Sequence, residues 1–219
     1  DIKNRFTEIS EYDIVNFYKH SRMRALADEY DYVAYMDFDV VPNTTESIFD
    51  AHDVDNRFAV ANSNRLAARG KSMKSANYNL CIRNPASKYW NTHAMLFEVG
   101  LECENDVFNT GIMAGSSEVI KRLDYFRDFD NTINLMTNIK HDEFSIYPKN
   151  IQRIFNYDNE TVFSYYIKSR DVKVQYMDNL WHYLVDELIS QPNQMNPKAK
   201  LYHFINKKMQ WIKGINKGK

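Results

Sequence analysis

The chain of 219 residues carries 28 Lys and Arg against 29 Asp and Glu, a formal net charge of −1 with neutral histidines, which removes the electrostatic argument for a nucleic-acid or anionic-membrane partner. Hydrophobic residues make up 44% and charged residues 26%, the balance of an ordinary globular domain with enough chain to bury a real core. Two cysteines, Cys81 and Cys103, give no basis for a disulfide framework or a cysteine-based zinc site, and no apolar run is long enough to span a bilayer.

The opening DIKNRFTEIS has no initiator Met, basic segment or apolar segment, and reads as neither a signal peptide nor a natural start. Ser10, followed by Asp13, can cap a helix running through Tyr18, Met23, Leu26 and Ala27. The run from Tyr32 to Met36 is short, apolar and aromatic-rich, as a buried parallel strand should be. Pro42 and Asn43 stop it, and TESIFD can start a short helix. Further strands are expected at 57–61, 107–115, 172–177 and 201–205. Helices fit SEVIKRLDYF, with Val119, Ile120, Leu123 and Phe126 on one face, and ETVFSYYIKS, with Val162, Phe163, Tyr166 and Ile167 on one face. With 6 Gly, 5 Pro and no repeat or linker, residues 1–219 read as a single domain. Alternating strands and helices argue for an α/β fold with a mostly parallel sheet, in which ligands bind at the carboxyl ends of strands.

The sharpest feature stands at such an end. In Asp37-Phe38-Asp39 the alternation of a strand puts both carboxylates on one side of the chain and Phe38 on the other. Two like charges that close are costly to desolvate unless a cation sits between them, and oxygen ligands suit Mg²⁺ or Mn²⁺, which bridge phosphate oxygens in turn. The alternative is that Asp39 caps the following turn and Asp37 is a solvated strand end.

The stretch KHSRMRALADEYDYVAYMDFDVVPNTTESIF resembles the D-x-D region of metal-dependent nucleotide-sugar glycosyltransferases of the GT-A (Rossmann-like) fold, most closely glycosyltransferase family eight, the glycogenin-like enzymes. The resemblance implies that Asp37 and Asp39 hold Mn²⁺ or Mg²⁺, with Asp37 also touching the donor, and that Lys19 and Arg22 face the diphosphate or the sugar. The other reading of Lys19 and Arg22 is a solvated cationic helix face. Two later segments resemble family elements in the same order. Val107-Phe108-Asn109-Thr110-Gly111 is similar to the family's FN[AST]G, implying that Asn109 binds donor-sugar hydroxyls and Gly111 lets the backbone approach closely; Asp106 could reach the same sugar. A core strand with a glycine bulge explains that segment equally. Leu201-Tyr202-His203-Phe204-Ile205 is similar to the family's hxHFxG, which makes His203 the third metal ligand. Trp211 follows eight residues later, as in the family's KPW, but Asn206 replaces the family Gly, Gln210 the Pro and Met209 the Lys. Lys207 or Lys208 is left to approach the phosphates.

Asn156 to Thr161 precedes a helix where family members carry a DQ or DE pair beside the sugar. Asp158, Asn159 and Glu160 are therefore assigned to catalysis or donor binding, with helix capping as the competing role. Trp181-His182 and the basic loop with Arg65, Arg69, Lys71 and Lys74 are candidates for an acceptor site; the loop reads equally as a plain basic surface. The sequons at Asn43 and Asn159 fall within these site segments and read as accidental, which favours a cytosolic protein. The resemblance leaves the family's first β-α-β unit, which holds base and ribose, without a counterpart, so the chain reads as an N-terminally truncated catalytic domain. The activity implied is transfer of a sugar, UDP-sugar favoured, to a hydroxyl of a glycan or glycoprotein acceptor, with retention unless Asp158 or Glu160 serves as general base. Two rivals are a haloacid-dehalogenase-type phosphatase with Asp37 as nucleophile and Asp39 as acid/base, and a non-catalytic sugar-binding or assembly module on the same scaffold.

Overall fold

A computed structural model describes residues 2–63, 86–185, 191–205 and 209–212. The chain opens with a short helix, α1 (Ile2–Arg5), and the expected capped helix, α2 (Glu11–Leu26). The Ser10 hydroxyl accepts from the Asp13 N–H at 3.1 Å, and Glu11 and Asp13 put negative charge in the first turn, where the helix dipole favours it. Ile14, Phe17, His20 and Met23 form the buried stripe of α2. Tyr18, within the same helix, is exposed, because the inward face is set by the three-residue spacing from Ile14.

Next come β1 (Tyr32–Met36), β2 (Val40–Pro42), α3 (Ile48–Ala51) capped by Ser47, and β3 (Phe58–Asn62). They are followed by α4 (Ala86–Glu98), β4 (Phe108–Ser116), α5 (Ser117–Leu123), α6 (Phe129–His141) and α7 (Lys149–Arg153). The last elements are α8 (Asn159–Ser169), β5 (Val174–Met177), β6 (Tyr183–Leu184) and β7 (Leu201–His203). The helix expected over 117–126 stops at Leu123: Asp124 takes the left-handed conformation, φ 39°, and its N–H closes on Ile120 O. Phe126 therefore lies beyond the helix.

Four strands form one sheet in the order β1-β4-β3-β5, and three short strands form a second in the order β2-β7-β6. β4 is antiparallel to both β1 and β3, while β3 and β5 are parallel. In the second sheet β2 is antiparallel to β7 and β6 is parallel to it. The architecture is thus α/β, but both sheets are mixed where the sequence predicts a mostly parallel one. Continuous apolar character reports burial on both faces, not strand direction. β4 shows this: all nine of its residues are buried, yet it runs against both of its neighbours, β1 and β3. β1 also departs from expectation. Among the described residues it pairs on one side only, and Tyr32 and Met36 are exposed while Val33 is buried.

The period of two divides the sheet between two cores. Val33, Phe58, Val60 and Met113 point to the larger one, shared with Phe17 and Met23 of α2, Ile120 of α5, Ile133 and Met136 of α6, and Phe163 and Tyr166 of α8. Ala59, Ile112 and Ala114 point the other way, onto Ile48, Val54, Trp181 and Leu201. Burying each large apolar side chain contributes about 1.5 to 3 kcal/mol, so a sheet covered on both faces is a firm support for whatever stands at its edge. Tyr183, Tyr202 and Phe204 anchor a third cluster beneath the second sheet, against which Met209 and Trp211 pack. No helix among the described residues is long and apolar enough to cross a membrane.

Candidate functional site

The reversed direction of β4 assembles the site. Met36 lies opposite Ile112, and one step further on the Asp37 N–H donates to Gly111 O at 2.7 Å. The start of β4, Phe108-Asn109-Thr110-Gly111, therefore abuts the end of β1. A parallel β4 would place that start at the far end of β1, about 17 Å away for five residues at roughly 3.4 Å each.

Here β4 also leaves the ladder. Val60 is opposite Met113, but Ala61, the next residue, is opposite Asn109, so Thr110, Gly111 and Ile112 have no counterpart on β3. Such a bulge frees backbone groups that must be satisfied elsewhere. The Asn109 carboxamide oxygen accepts from the Gly111 N–H at 3.0 Å. The Thr110 N–H donates to Glu160 Oε1 at 3.0 Å, and Thr110 O accepts from Lys19 Nζ at 3.2 Å. Asn159 Nδ2 donates to Thr110 Oγ1 at 2.7 Å. The segment is thus a bulged core strand, and the bulge abuts Asp37 through the Gly111 carbonyl.

Beyond β1 the chain turns so that the Val40 N–H donates to Asp37 O, and Phe204 N–H, at the end of β7, donates to Asp39 O at 3.0 Å. Val40 pairs with His203 across the second sheet. Asp37, Asp39 and His203 thereby converge, with one potential ligand atom from each lying within 4.8 Å of the others. Asp39 and His203 are only 1% and 3% exposed, while Asp37 is half-buried. The His203 Nε2 is 3.5 Å from Asp39 Oδ1, and its Nδ1 is 2.8 Å from His182 Nε2.

This donor set fits a divalent cation of the Mg²⁺ or Mn²⁺ kind. Opposite ligands of an octahedral ion stand about 4.2 Å apart at metal–oxygen distances of roughly 2.1 Å, so three atoms within 4.8 Å need only a small closure. Two carboxylates and one imidazole suit Mn²⁺ well. Gly111 completes the cradle: a Cβ there would stand 2.2 Å from His203 Cε1 and 2.9 Å from Nδ1. The imidazole occupies the space a side chain would need, which gives the glycine a packing reason independent of backbone conformation.

Cations surround the carboxylates. Lys19, on the inward side of α2, has its ammonium 3.4 Å from Asp37 Oδ1; burial pulls its pKa below the ordinary lysine value, with Asp37 opposing. The Tyr35 hydroxyl donates to the same Asp37 oxygen at 2.8 Å, and burial with that carboxylate raises the phenol's pKa. Glu160 is buried in an ion pair with Lys88 of α4. Burial alone would raise its pKa, but Lys88 and the Thr110 N–H outweigh this and hold the carboxyl below the usual range. Asp158 caps α8, accepting from the Thr161 N–H at 2.9 Å and the Thr161 hydroxyl at 2.7 Å, while burial pushes its own pKa up. Asn159 is buried, so its sequon cannot present a glycan acceptor on this fold. Removing the cap with Asp158→Ala is expected to cost about 0.5 to 2 kcal/mol, measurable by denaturant unfolding.

The sequence assignments divide accordingly. Asp37, Asp39, His203, Lys19, Asn109, Gly111, Asn159 and Glu160 are brought together through the bonds above. Arg22 is exposed on α2, and no bond described above joins it to the group. Asp106 instead accepts from the Tyr176 hydroxyl and lines a separate cavity of about 390 Å³ with Ser164 and Lys168. His182, assigned to an acceptor surface, is buried against His203, and Trp181 packs edge-on against His52. Lys207 and Lys208, and the loop with Arg65, Arg69, Lys71 and Lys74, lie outside the described residues.

Sequence reasoning misses Lys88, Tyr35 and His20. Tyr35 was legible, since it sits two residues before Asp37 and so on the same side of the strand. Lys88 gives no sequence signal of its role. His20 stacks on Tyr125 with ring centroids 3.8 Å apart, its Nε2 3.5 Å from Asn159 Nδ2, and burial drives its pKa well below the ordinary histidine value. It is a neutral ring in the core behind Asn159. No protein-family model matches the chain, and no curated protein or solved structure matches it.

Proposed function

We propose that the protein is a glycosyltransferase that moves a sugar from a nucleoside diphosphate donor, a UDP-sugar in the first instance, to a hydroxyl of a glycan or glycoprotein, on a GT-A-like scaffold. The observation that carries this reading is the convergence of Asp37, Asp39 and His203 beside the β4 bulge. Asp37, Asp39 and His203 would hold Mn²⁺ or Mg²⁺, which when bound supplies positive charge for the diphosphate as it leaves. Lys19 adds fixed positive potential beside Asp37, where charge develops as the donor bond breaks. In this reading Asn109, at the opening of the bulge, would orient a donor-sugar hydroxyl through its amide nitrogen. Glu160 and Asp158 serve as struts in this reading: one holds the bulge through Thr110 and is paired with Lys88, the other caps α8. Glu160, held below the usual carboxyl range by Lys88 and the Thr110 N–H, is a poor general base, and Asp158 is engaged by the Thr161 N–H and hydroxyl; we take retention of configuration as the working outcome.

The test is a thermal-shift and turnover series with UDP, GDP and CMP compounds, with and without Mn²⁺, on the wild type and Asp39→Ala. Stabilisation by one nucleotide is expected to require both Mn²⁺ and Asp39, reaching about 2.7 kcal/mol at a hundredfold excess over Kd, together with release of the nucleoside diphosphate from its sugar conjugate. Absence of any nucleotide response from the folded protein in saturating Mn²⁺ would overturn the reading. Binding without turnover would leave the binding-module alternative, and phosphate-ester hydrolysis without nucleotide binding the phosphatase.

A further inference from the structure

The pair formed by His203 and His182 goes one step beyond the ligand set. His182 is 2% exposed and His203 3%, and the 2.8 Å separation between His182 Nε2 and His203 Nδ1 means that one nitrogen donates and the other accepts. For His203 to offer the lone pair of Nε2 toward Asp39, its proton must sit on Nδ1. His182 Nε2 must then accept it. If the proton ran the other way, His203 would carry its hydrogen on Nε2 and face Asp39 as a donor, with no lone pair for a cation.

The local chain holds His182 in place for this. The Asp178 carboxylate accepts from the N–H groups of Leu180 and Trp181, at 2.8 and 3.0 Å, and the His182 N–H donates to Asp178 O at 3.0 Å. Leu180 O accepts from the N–H groups of Lys200 and Leu201. The turn carrying His182 is thus laced to the strand carrying His203, and β6 and β7 run parallel with Leu184 opposite His203.

We infer that His182 is the positioning residue of the cation site: through its Nε2 it fixes the tautomer and ring orientation of His203, and so sets the site's affinity for divalent metal. The inference rests on the metal-site reading of Asp37, Asp39 and His203. Outer partners of metal-bound imidazoles typically contribute about 10- to 100-fold in affinity.

The experiment measures Mn²⁺ binding by the EPR signal of the free ion, in the absence of any nucleotide, on wild type, His182→Ala, His182→Gln and His203→Ala. Melting of each metal-free protein is recorded in parallel. His182→Gln keeps an oxygen that can accept from His203 Nδ1 and is expected to stay within about threefold of wild type, while His182→Ala weakens Mn²⁺ about 10- to 100-fold. A purely structural role for His182 predicts that affinity follows the metal-free melting temperature across the variants. The positioning role predicts that it follows the acceptor. Wild-type affinity in His182→Ala, or equal losses in Ala and Gln, would overturn the inference while leaving the metal site standing. Failure of the wild type to bind Mn²⁺, or unchanged binding in His203→Ala, would overturn the site reading and this inference with it.

Discussion

Gly111→Ala is expected to lose Mn²⁺ binding at the Asp37-Asp39-His203 group by 100-fold or more, on the order of two conversions of 1.4 kcal/mol, and to destabilise the metal-free protein by about 1 to 3 kcal/mol through overpacking. The cause is a methyl group placed 2.2 Å from His203 Cε1. Gly111 is also tied through its carbonyl to the Asp37 N–H and through its own N–H to Asn109, so the backbone resists withdrawal and the imidazole must move. Moving it breaks either the approach to Asp39 or the bond to His182. The check is a double-mutant cycle with His203→Ala: once the ring is gone, the stability cost of the added methyl should largely vanish. A cost for Gly111→Ala that persists unchanged in the His203→Ala background would show that the glycine serves something other than the ring.

Lys88→Met is the second large effect, expected to cost about 3 to 5 kcal/mol because it leaves the Glu160 carboxylate buried without its counter-ion. For a domain of this size that is roughly 6 to 20 °C in Tm. Adding Glu160→Gln should recover most of the loss, since a glutamine oxygen still accepts from the Thr110 N–H and carries no charge to bury. The pH response follows with a definite sign. Glu160 has its pKa depressed in the folded state by Lys88 and the Thr110 N–H, against the upward push of burial, so its contribution to stability is complete above its unfolded value and is lost as pH falls through the lower folded value. In the Lys88→Met protein that depression goes, and the acid limb of the stability curve should move to higher pH. An unmoved acid limb would count against the pair.

Much of the site was legible because its chemistry is carried by residues that sit at strand ends. D-x-D after an apolar strand, F-N-T-G within one and Y-H-F at the end of another point to the group that the fold assembles. What could not be read was direction. The apolar runs that flag β1 and β4 are the same for either orientation, and a mostly parallel reading contradicts the very adjacency the motifs imply. Helix α6 shows a different failure: Phe129, Ile133, Met136 and Ile139 carry a helical spacing, but the intervening Asn and Thr residues are weak helix formers and mask it. In α4 the buried polar residues Ser87, Asn91 and Thr92 are interleaved with the buried Tyr89, Ala94, Met95 and Leu96, which blurs the apolar stripe. Lys88 was out of reach for the same reason, because only the packing of α4 against α8 gives that lysine a carboxylate.

The ligand positions also have a mechanical meaning. Asp37 follows a strand of the larger sheet, whereas Asp39 precedes β2 and His203 ends β7, both in the smaller one. The smaller sheet consists of strands of three, three and two residues, too short to stand by themselves. An ion gripped by all three side chains would act as a clasp across the two layers, joining points far apart along the chain. Closing so long a loop adds little further entropic cost per residue. The rigidity of the smaller layer would then rise and fall with occupancy, and the surface met by an incoming donor would be finished by the cation instead of waiting ready for it.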